Sequence, residues 1–423
     1  MKYIICYILL ILPWLGYSQS LRVEELAQYR DKSLRMQEKQ TELAIKKAEK
    51  QQLNSNRIPL IFGDANLQRN LIIPTTPVPA IAFDPQADEG AILPLKFATR
   101  WNSKAGIQLS WDLFNPTQQA DQASKDIELE KTNLQIQKEE QDWLKEAIKA
   151  YAASVLASEQ LRLAIADSSN YQQILEISKQ RAEAGREKQA DYISAQQEMT
   201  RKLIQWQEAW AVLQEADIQF RGLLAQEDLQ FLSSNIADIQ SYVESLQEQD
   251  YTVQLLELDR NSALVDLKNL RKKLLPTLTF NAYFGTQFFS NSFNIIESDR
   301  WYGNSFANIG LKLPISAYIS NRPAYQKSNL QEKLSRIKIQ QQQNDWQQQQ
   351  AIKEKKVFAA KQKIVRLQHI LDLAQQLLDQ QKAAYTEGRL LLSEYNKANG
   401  ELIKAKQDLW QAQFDLISLS LAE

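Results

Sequence analysis

Between Thr117 and Ala184, and again between Ala324 and Glu387, the chain contains neither proline nor glycine. Proline stops a helix by removing a donor and crowding the preceding turn, and glycine by its backbone freedom. As uninterrupted helices these runs would extend about 100 Å at a rise of about 1.5 Å per residue. That length predicts a coiled coil or a helical wall rather than an ordinary globular helix. Ile127, Leu134, Ile148 and Val155 share one seven-residue register, and Leu129, Ile136, Trp143, Ala150 and Ala157 share another, two positions on. Two positions are about 200° around a helix, so the rod has apolar seams on nearly opposite sides. A two-stranded coil needs one seam, whereas opposed seams suit a helix with a neighbour on each flank, as in a closed cylinder.

Each run stops at a glycine, Gly185 or Gly388, and a helical pattern then resumes from about Glu187 to Leu224 and from Leu390 to Ala422. Glycine permits the left-handed conformation that closes a helix, so each half reads as a long helical hairpin with its tip at the glycine. A shift of 203 residues lays Gly185 on Gly388, Arg186 on Arg389, Tyr192 on Tyr395 and Ala195 on Ala398. It also superposes Asp142-Trp143 on Asp345-Trp346, Glu198 on Glu401 and Leu213 on Leu416. One constant offset from about 142 to 213 predicts a tandem of two structural units of about 200 residues, too long for a solenoid repeat.

Ahead of each hairpin the period changes to two. Residues 57–115 hold six prolines, and within them Leu93, Leu95, Phe97 and Trp101, then Ile107, Leu109, Trp111 and Leu113, occupy odd positions. In the second half Leu278, Phe280, Ala282 and Phe284 alternate with polar residues, followed by Ile309, Leu311, Leu313 and Ile315. Such alternation predicts strands with one apolar face. We expect strand pairs within 57–115 and 276–320, long enough to cross an outer membrane, where about 9 to 11 tilted residues suffice. Trp101, Trp111, Phe114, Tyr283, Phe288, Phe289, Trp301, Tyr302 and Phe306 crowd near the expected strand ends and suggest an interfacial girdle. The stretch Gly63 to Arg69, followed by three prolines, fits a lipid-facing strand poorly; the first strand is expected either after Pro79 or as a partly irregular segment.

The remaining organisation follows. Residues 1–18 carry Lys2, an apolar run from Tyr3 to Leu12 and small residues before Gln19, the plan of a secretory signal peptide. The run is too short for a membrane span, which needs ~20 apolar residues. Residues 19–56 are expected to form one N-terminal helix, 116–224 and 321–423 the two hairpins, 225–250 a polar, broken connector and 251–275 a further helix. Glutamines 340–343 and 347–350 flank Trp346 inside the second rod and read as a water-facing helical stretch.

Composition removes several functions. The single cysteine, Cys6, lies in the expected signal peptide, so the mature chain would have no disulfide. The single histidine, His369, sits between Leu367 and Ile370 on a helical stretch, so neither a metal site nor a Ser-His-Asp or Cys-His arrangement is expected. There is no phosphate loop. With 50 basic and 51 acidic residues the net charge is −1, which gives no nucleic-acid footprint. The reading is of a non-enzymatic exported protein with no cofactor.

The stretch Tyr385-Thr-Glu-Gly388, followed by Glu394-Tyr-Asn-Lys397-Ala398 and Lys404-Ala-Lys-Gln-Asp408-Leu-Trp-Gln-Ala412, resembles the hairpin tip and returning helix of the TolC family of outer-membrane efflux proteins. Gly106-Ile-Gln-Leu-Ser-Trp111-Asp-Leu-Phe114 is similar to the family's strand leading into the first long helix. The resemblance covers the whole mature chain. It implies a mainly α protein with a β-barrel part, in which each of two tandem repeats supplies a strand pair and a long hairpin. It further implies a homotrimer whose twelve strands close a barrel in outer-membrane lipid and whose helices continue as a periplasmic tube. The implied role is a passive exit duct, partnered by a periplasmic adaptor and an inner-membrane pump or ABC exporter, in the outer membrane of a Gram-negative bacterium.

By the same resemblance Asp191, Tyr192, Tyr385, Glu394, Tyr395 and Lys397 are candidates for the periplasmic entrance and gate, and Gly185, Arg186, Gly388 and Arg389 for the adaptor-docking tips. Two departures stand out. Both tip glycines are followed by arginine, where many relatives carry an uncharged residue. Lys397, with Ser194 in the first copy, occupies a position where well-known relatives have aspartate. The alternative reading is an exported coiled-coil adaptor or interaction protein, disfavoured because adaptors carry glycine-rich lipoyl-like domains and this chain has 11 glycines in 423 residues.

Overall fold

The computed structural model describes residues 21–55, 57–226 and 232–422. The expected signal peptide and residues 227–231 of the connector lie outside them. The chain divides into two units: one comprises Leu43–Lys131 and Leu256–Ile337, the other Thr132–Leu255 with the chain up to Glu42 and from Lys338 onward.

The first unit is built on a four-stranded antiparallel sheet of β1 (Leu60–Arg69), β4 (Trp101–Phe114), β5 (Thr277–Ser290) and β6 (Trp301–Lys312), in that order. A separate two-stranded sheet pairs β2 (Thr76–Pro79) with β3 (Ile92–Leu95). The expected strand pairs thus form one sheet, because β4 of the first repeat pairs with β5 of the second. Register decides its faces. Ile61, Leu109, Ala282 and Ala307 lie in one row and Gly63, Ile107, Phe284 and Ser305 in another. The intervening rows place Asn66, Lys104, Gln287 and Tyr302 together on the opposite face. Since successive side chains point to opposite faces, the sheet has one predominantly apolar face and one face rich in amides.

The path of the first strand differs from expectation. The alternation from Leu93 to Trp101 yields only the short β3, and the partner of β4 is the Leu60–Arg69 stretch. The period of two is present there but muted: Gly63 and Ala65 occupy apolar-face positions beside Ile61 and Leu67, while Asp64 and Asn66 face the other way. The prolines that argued against a strand begin at Pro74, beyond its end. The aromatic girdle is partly present. Trp101–Phe293, Phe288–Trp301 and Phe289–Tyr302 make ring contacts at one end of the sheet, whereas Tyr283 and Phe306 stack within the strands, not at their ends.

The chain's helices are α1 (Leu34–Ser55), α2 (Pro116–Glu183), α3 (Gln189–Leu224), α4 (Ile236–Ser245), α5 (Tyr251–Lys272), α6 (Ala317–Ser320), α7 (Arg322–Thr386) and α8 (Leu392–Leu421). Within the sheet-bearing unit ion pairs tie helices laterally, as Lys125 with Glu49, Lys131 with Asp259, and Arg260 with Glu332, which Arg336 also meets along α7 itself. These are partly exposed pairs and contribute register more than stability.

In the second unit a core forms around Trp143, Tyr151, Phe220, Leu224 and Ile417. The hydroxyl of Tyr151 donates to Leu21 O at 2.8 Å and accepts from Ser234 N at 3.0 Å, while Ser234 Oγ accepts from Val23 N at 3.1 Å. This knot fastens the start of the described chain into the core. The expected single N-terminal helix is two pieces: a 3-10 helix over Val23–Lys32, a break at Ser33, whose ψ is 133°, then α1. Val23, Leu26 and Tyr29 recur every third residue, and a 3-10 turn of three residues lines them on one face toward the core.

The connector 225–250 is less irregular than its composition suggests, since α4 buries Ile236, Ile239 and Val243. Its polar start is a cap: Asn235 Oδ1 accepts from Asp238 N at 2.9 Å and Asp238 Oδ2 from Asn235 N at 3.1 Å, a reciprocal capping box. Beyond it Glu248 sits between Lys145 and Lys353. Burial alone would raise its carboxyl, but hydrogen bonds and charge from the two lysines hold it below the usual range.

Candidate functional site at the hairpin tips

Both tips close in the same way. Gly185 has φ +69° and Gly388 φ +79°. Arg186 N donates to Arg181 O and Arg389 N to Ala384 O, each at 2.9 Å, while Gly185 N reaches Ala182 O and Gly388 N reaches Tyr385 O. That is the paired pattern of a Schellman motif, in which glycine takes the left-handed position at the helix end. Arg186 and Arg389 project into solvent, and Arg389 pairs with Glu387.

The two tips are bound to each other by Arg181, one turn before Gly185. Its Nη2 donates to Tyr385 O at 2.5 Å and to Thr386 O at 3.0 Å, two carbonyls of the last turn of α7, the first of them shared with the cap. Its guanidinium also lies 4.7 Å from the Tyr385 ring centroid. Tyr385 in turn stacks on Tyr395 with centroids 5.6 Å apart and planes 25° apart. Together with Tyr171, Ile174, Leu378, Leu392 and Leu402 they form a second buried cluster. Burial raises the hydroxyls of Tyr171, Tyr385 and Tyr395, the last to about 12. Burial also raises Glu187, against the opposing pull of Arg181.

A cleft of about 580 Å³ opens between the tips, lined by Arg181, Arg186, Glu187, Lys188, Asp191 and Tyr385 among others. Its charges are nearly balanced, with Arg181, Arg186 and Lys188 set against Glu187, Asp191 and Glu387. Of the expected site residues, Asp191, Tyr385, Arg186 and Gly388 line this cleft. Tyr395 is behind it, stacked in the core, and the Tyr192 hydroxyl accepts from Gln196 at 3.1 Å. Glu394 and Lys397 are exposed on α8 and do not line the cleft.

Four important residues escaped sequence reasoning: Arg181, Asp167, Lys202 and Asn399. The last three form a buried network in which Lys202 Nζ lies 3.0 Å from Asp167 Oδ2 and Asn399 Nδ2 donates to Asp167 Oδ1 at 2.8 Å. The sequence did hold a trace of them. Under the 203-residue shift Arg181, Asp167 and Lys202 fall on Ala384, Ile370 and Ala405. They mark places where the two halves of the chain diverged.

No protein-family model matches the chain, and no curated protein matches it. Solved structures do. CusC, whose structures concern folding and transmembrane channel formation, matches at TM-score 0.72 and 15% identity, over 94% of this chain and 90% of that one. The outer membrane protein VceC of Vibrio cholerae matches at 0.69 and 14%, over 94% of each chain. The open-state outer membrane channel MtrE of Neisseria gonorrhoeae matches at 0.67 and 14%, over 95% and 87%. The chain therefore has the fold of the outer-membrane channels, the fold that its resemblance to the TolC family implied.

Proposed function

We propose that the protein is the outer-membrane exit duct of a tripartite efflux pump or type I secretion system, a passive conduit through the outer membrane and periplasm. One observation carries the reading: a four-stranded sheet with an apolar and an amide-rich face ends in two unpaired edges, β1 and β6. In lipid such edges must be paired. Three copies would join β6 of one chain to β1 of the next and close a twelve-stranded barrel, with the apolar face toward lipid and the amides toward water. The long hairpins would then assemble as the periplasmic tube. Its mouth would be set by Asp191, Tyr192, Glu394 and Lys397, with the Tyr385–Tyr395 stack behind them. Gly185, Arg186, Gly388 and Arg389 would present the surface for a periplasmic adaptor, through which an inner-membrane pump or ABC exporter supplies energy. The duct itself catalyses no reaction.

The test is fractionation and electrophoresis. The protein is expected in the outer-membrane fraction, running as a trimer that heat converts to monomer. Recovery of the mature chain as a soluble monomer would sink the proposal.

A further inference from the structure

Where the second strand pair meets its helices, α5, α6 and the start of α7 enclose a cavity of about 340 Å³, within the usual range of about 300–1,000 Å³ for ligand pockets. Leu270, Leu274, Ala317 and Tyr318 give it an apolar wall, and Arg271 and Arg322, both exposed, also line it. Two hydrogen bonds brace this wall. The Tyr318 hydroxyl donates to Leu274 O at 3.4 Å, and Arg271 Nη2 donates to the Tyr325 hydroxyl at 3.0 Å.

The charge around the cavity has one sign. Residues 268–277 carry four basic side chains and residues 311–330 carry three, and neither segment has an acidic one. Among the described residues neither Arg271 nor Arg322 meets a carboxylate, and the next acidic residue along α7, Glu332, is occupied by Arg260 and Arg336. The opposite end of the same strand pair differs: residues 291–300 hold Glu297, Asp299 and Arg300, and Arg300 pairs with Glu297. The apolar row of β6, Ile309 and Leu311, runs on through Leu313 and Ile315 to the cavity wall, and all four are exposed, Ile315 by 74%. An apolar strip that leads to guanidinium groups without counter-charge fits a molecule with hydrocarbon at one end and negative charge at the other.

We infer that this cavity binds one anionic phospholipid from the membrane leaflet that faces the periplasm: an acyl chain lies against Leu270, Leu274 and Tyr318, and Arg271 and Arg322 hold the headgroup phosphate. Guanidinium groups suit that role because their forked donors meet phosphate oxygens two at a time. Basic pockets at a membrane surface select anionic headgroups in the same way. The inference rests on the channel reading, which puts the apolar face of the sheet in lipid and its junction with the helices at the periplasmic membrane surface.

The test counts lipids on the full mature protein, extracted from outer membranes in detergent, by native mass spectrometry. Phosphatidylglycerol, phosphatidylcholine with the same acyl chains, and glycerol phosphate are the probes. Phosphatidylglycerol is expected to saturate at one molecule per chain, to outcompete phosphatidylcholine and to be undisturbed by glycerol phosphate. Arg271→Gln with Arg322→Gln should weaken its binding about tenfold or more, the loss of a charged hydrogen bond. Lys338→Gln with Lys355→Gln, which removes the same charge elsewhere on α7, should not. Leu274→Trp, which fills the cavity and keeps both arginines, should block binding as well. If the wild type is oligomeric but takes the two lipids alike, or holds phosphatidylglycerol equally after either change at the site, the site is wrong and the channel reading stands. If the wild type is recovered as a soluble monomer, both fall.

Discussion

Lys202 and Asp167 form an ion pair at 3.0 Å with each side chain only 7% exposed, and the second oxygen of the same carboxylate is held by Asn399. One carboxylate therefore joins α2, α3 and α8, some five helical turns from Gly185 and about three from Gly388. Removing a single partner from a buried pair typically costs about 3–5 kcal/mol because the other charge is stranded, whereas replacing both by apolar groups is often neutral. Asp167→Leu or Lys202→Met alone should thus destabilise the helical unit by about that amount, and the double variant should recover most of it. Urea unfolding of the detergent-solubilised protein, read as a double-mutant cycle, measures the coupling; additive losses would mean that the two groups act independently.

In the sheet, Gly106 and Gly285 face each other across β4 and β5, and the Tyr283 ring covers the gap beneath Lys104. A methyl group at Gly106 would lie 2.6 Å from Phe284 O and from Tyr283 Oη and 2.7 Å from Gly285 Cα. Two of these three neighbours are backbone and cannot swing aside. Gly106→Ala is expected to cost about 1–3 kcal/mol, the range for overpacking, visible as a lower temperature of dissociation of the proposed trimer on gels. Gly63→Ala, in the same sheet with open space around it, should leave that temperature nearly unchanged.

The contrast between these glycines shows what the sequence could and could not reveal. The long helices, their glycine tips and the second strand pair were legible because length without breakers and strict alternation are local properties. β1 was obscured because Gly63 and Ala65 weaken a two-residue period that only the register with β4 restores. The helix α4 was obscured because its cap, Ser-Ser-Asn, has the composition of a loop. At the tips the glycines and arginines were readable from the duplication, but the burial of Tyr385 and Tyr395 was not. It comes from contacts between distant parts of the chain, with Tyr171 and Ile174 of α2 in the cluster and Arg181 meeting Tyr385 across 204 positions.

Burial of three tip tyrosines predicts an alkaline weakness. The ordinary tyrosine value is about 10, and burial, with Asp167 and Tyr385 adding, pushes Tyr395 up to about 12. Below about pH 10 both folded and unfolded chains keep the proton and the contribution of burial is intact. Between about 10 and about 12 the unfolded chain ionises first, so stability falls as pH rises through that window. Tyr395→Phe removes one such group and should make the decline shallower. Near-ultraviolet titration of tyrosinate checks it: the wild type should show late-ionising tyrosines, one fewer in the variant, and a single transition at the ordinary value would refute the argument.

Lys397 stands in the second turn of the returning helix α8. It is exposed, and it follows Glu394 by three positions, close to one helical turn, so the two present opposite charges on neighbouring turns of one face. If α8 lines the mouth of a trimeric duct, three lysines form a ring whose field opposes cations, the reverse of an aspartate ring. Lys397→Asp then changes the ring's formal charge from +3 to −3. The reversal potential of single channels in planar bilayers under a salt gradient should move toward cation preference, with Lys397→Gln intermediate. Because the Debye length is about 10 Å at 0.1 M salt and about 30 Å at 0.01 M, the shift should grow as salt is lowered. An unchanged reversal potential at low salt would place Lys397 away from the conducting path.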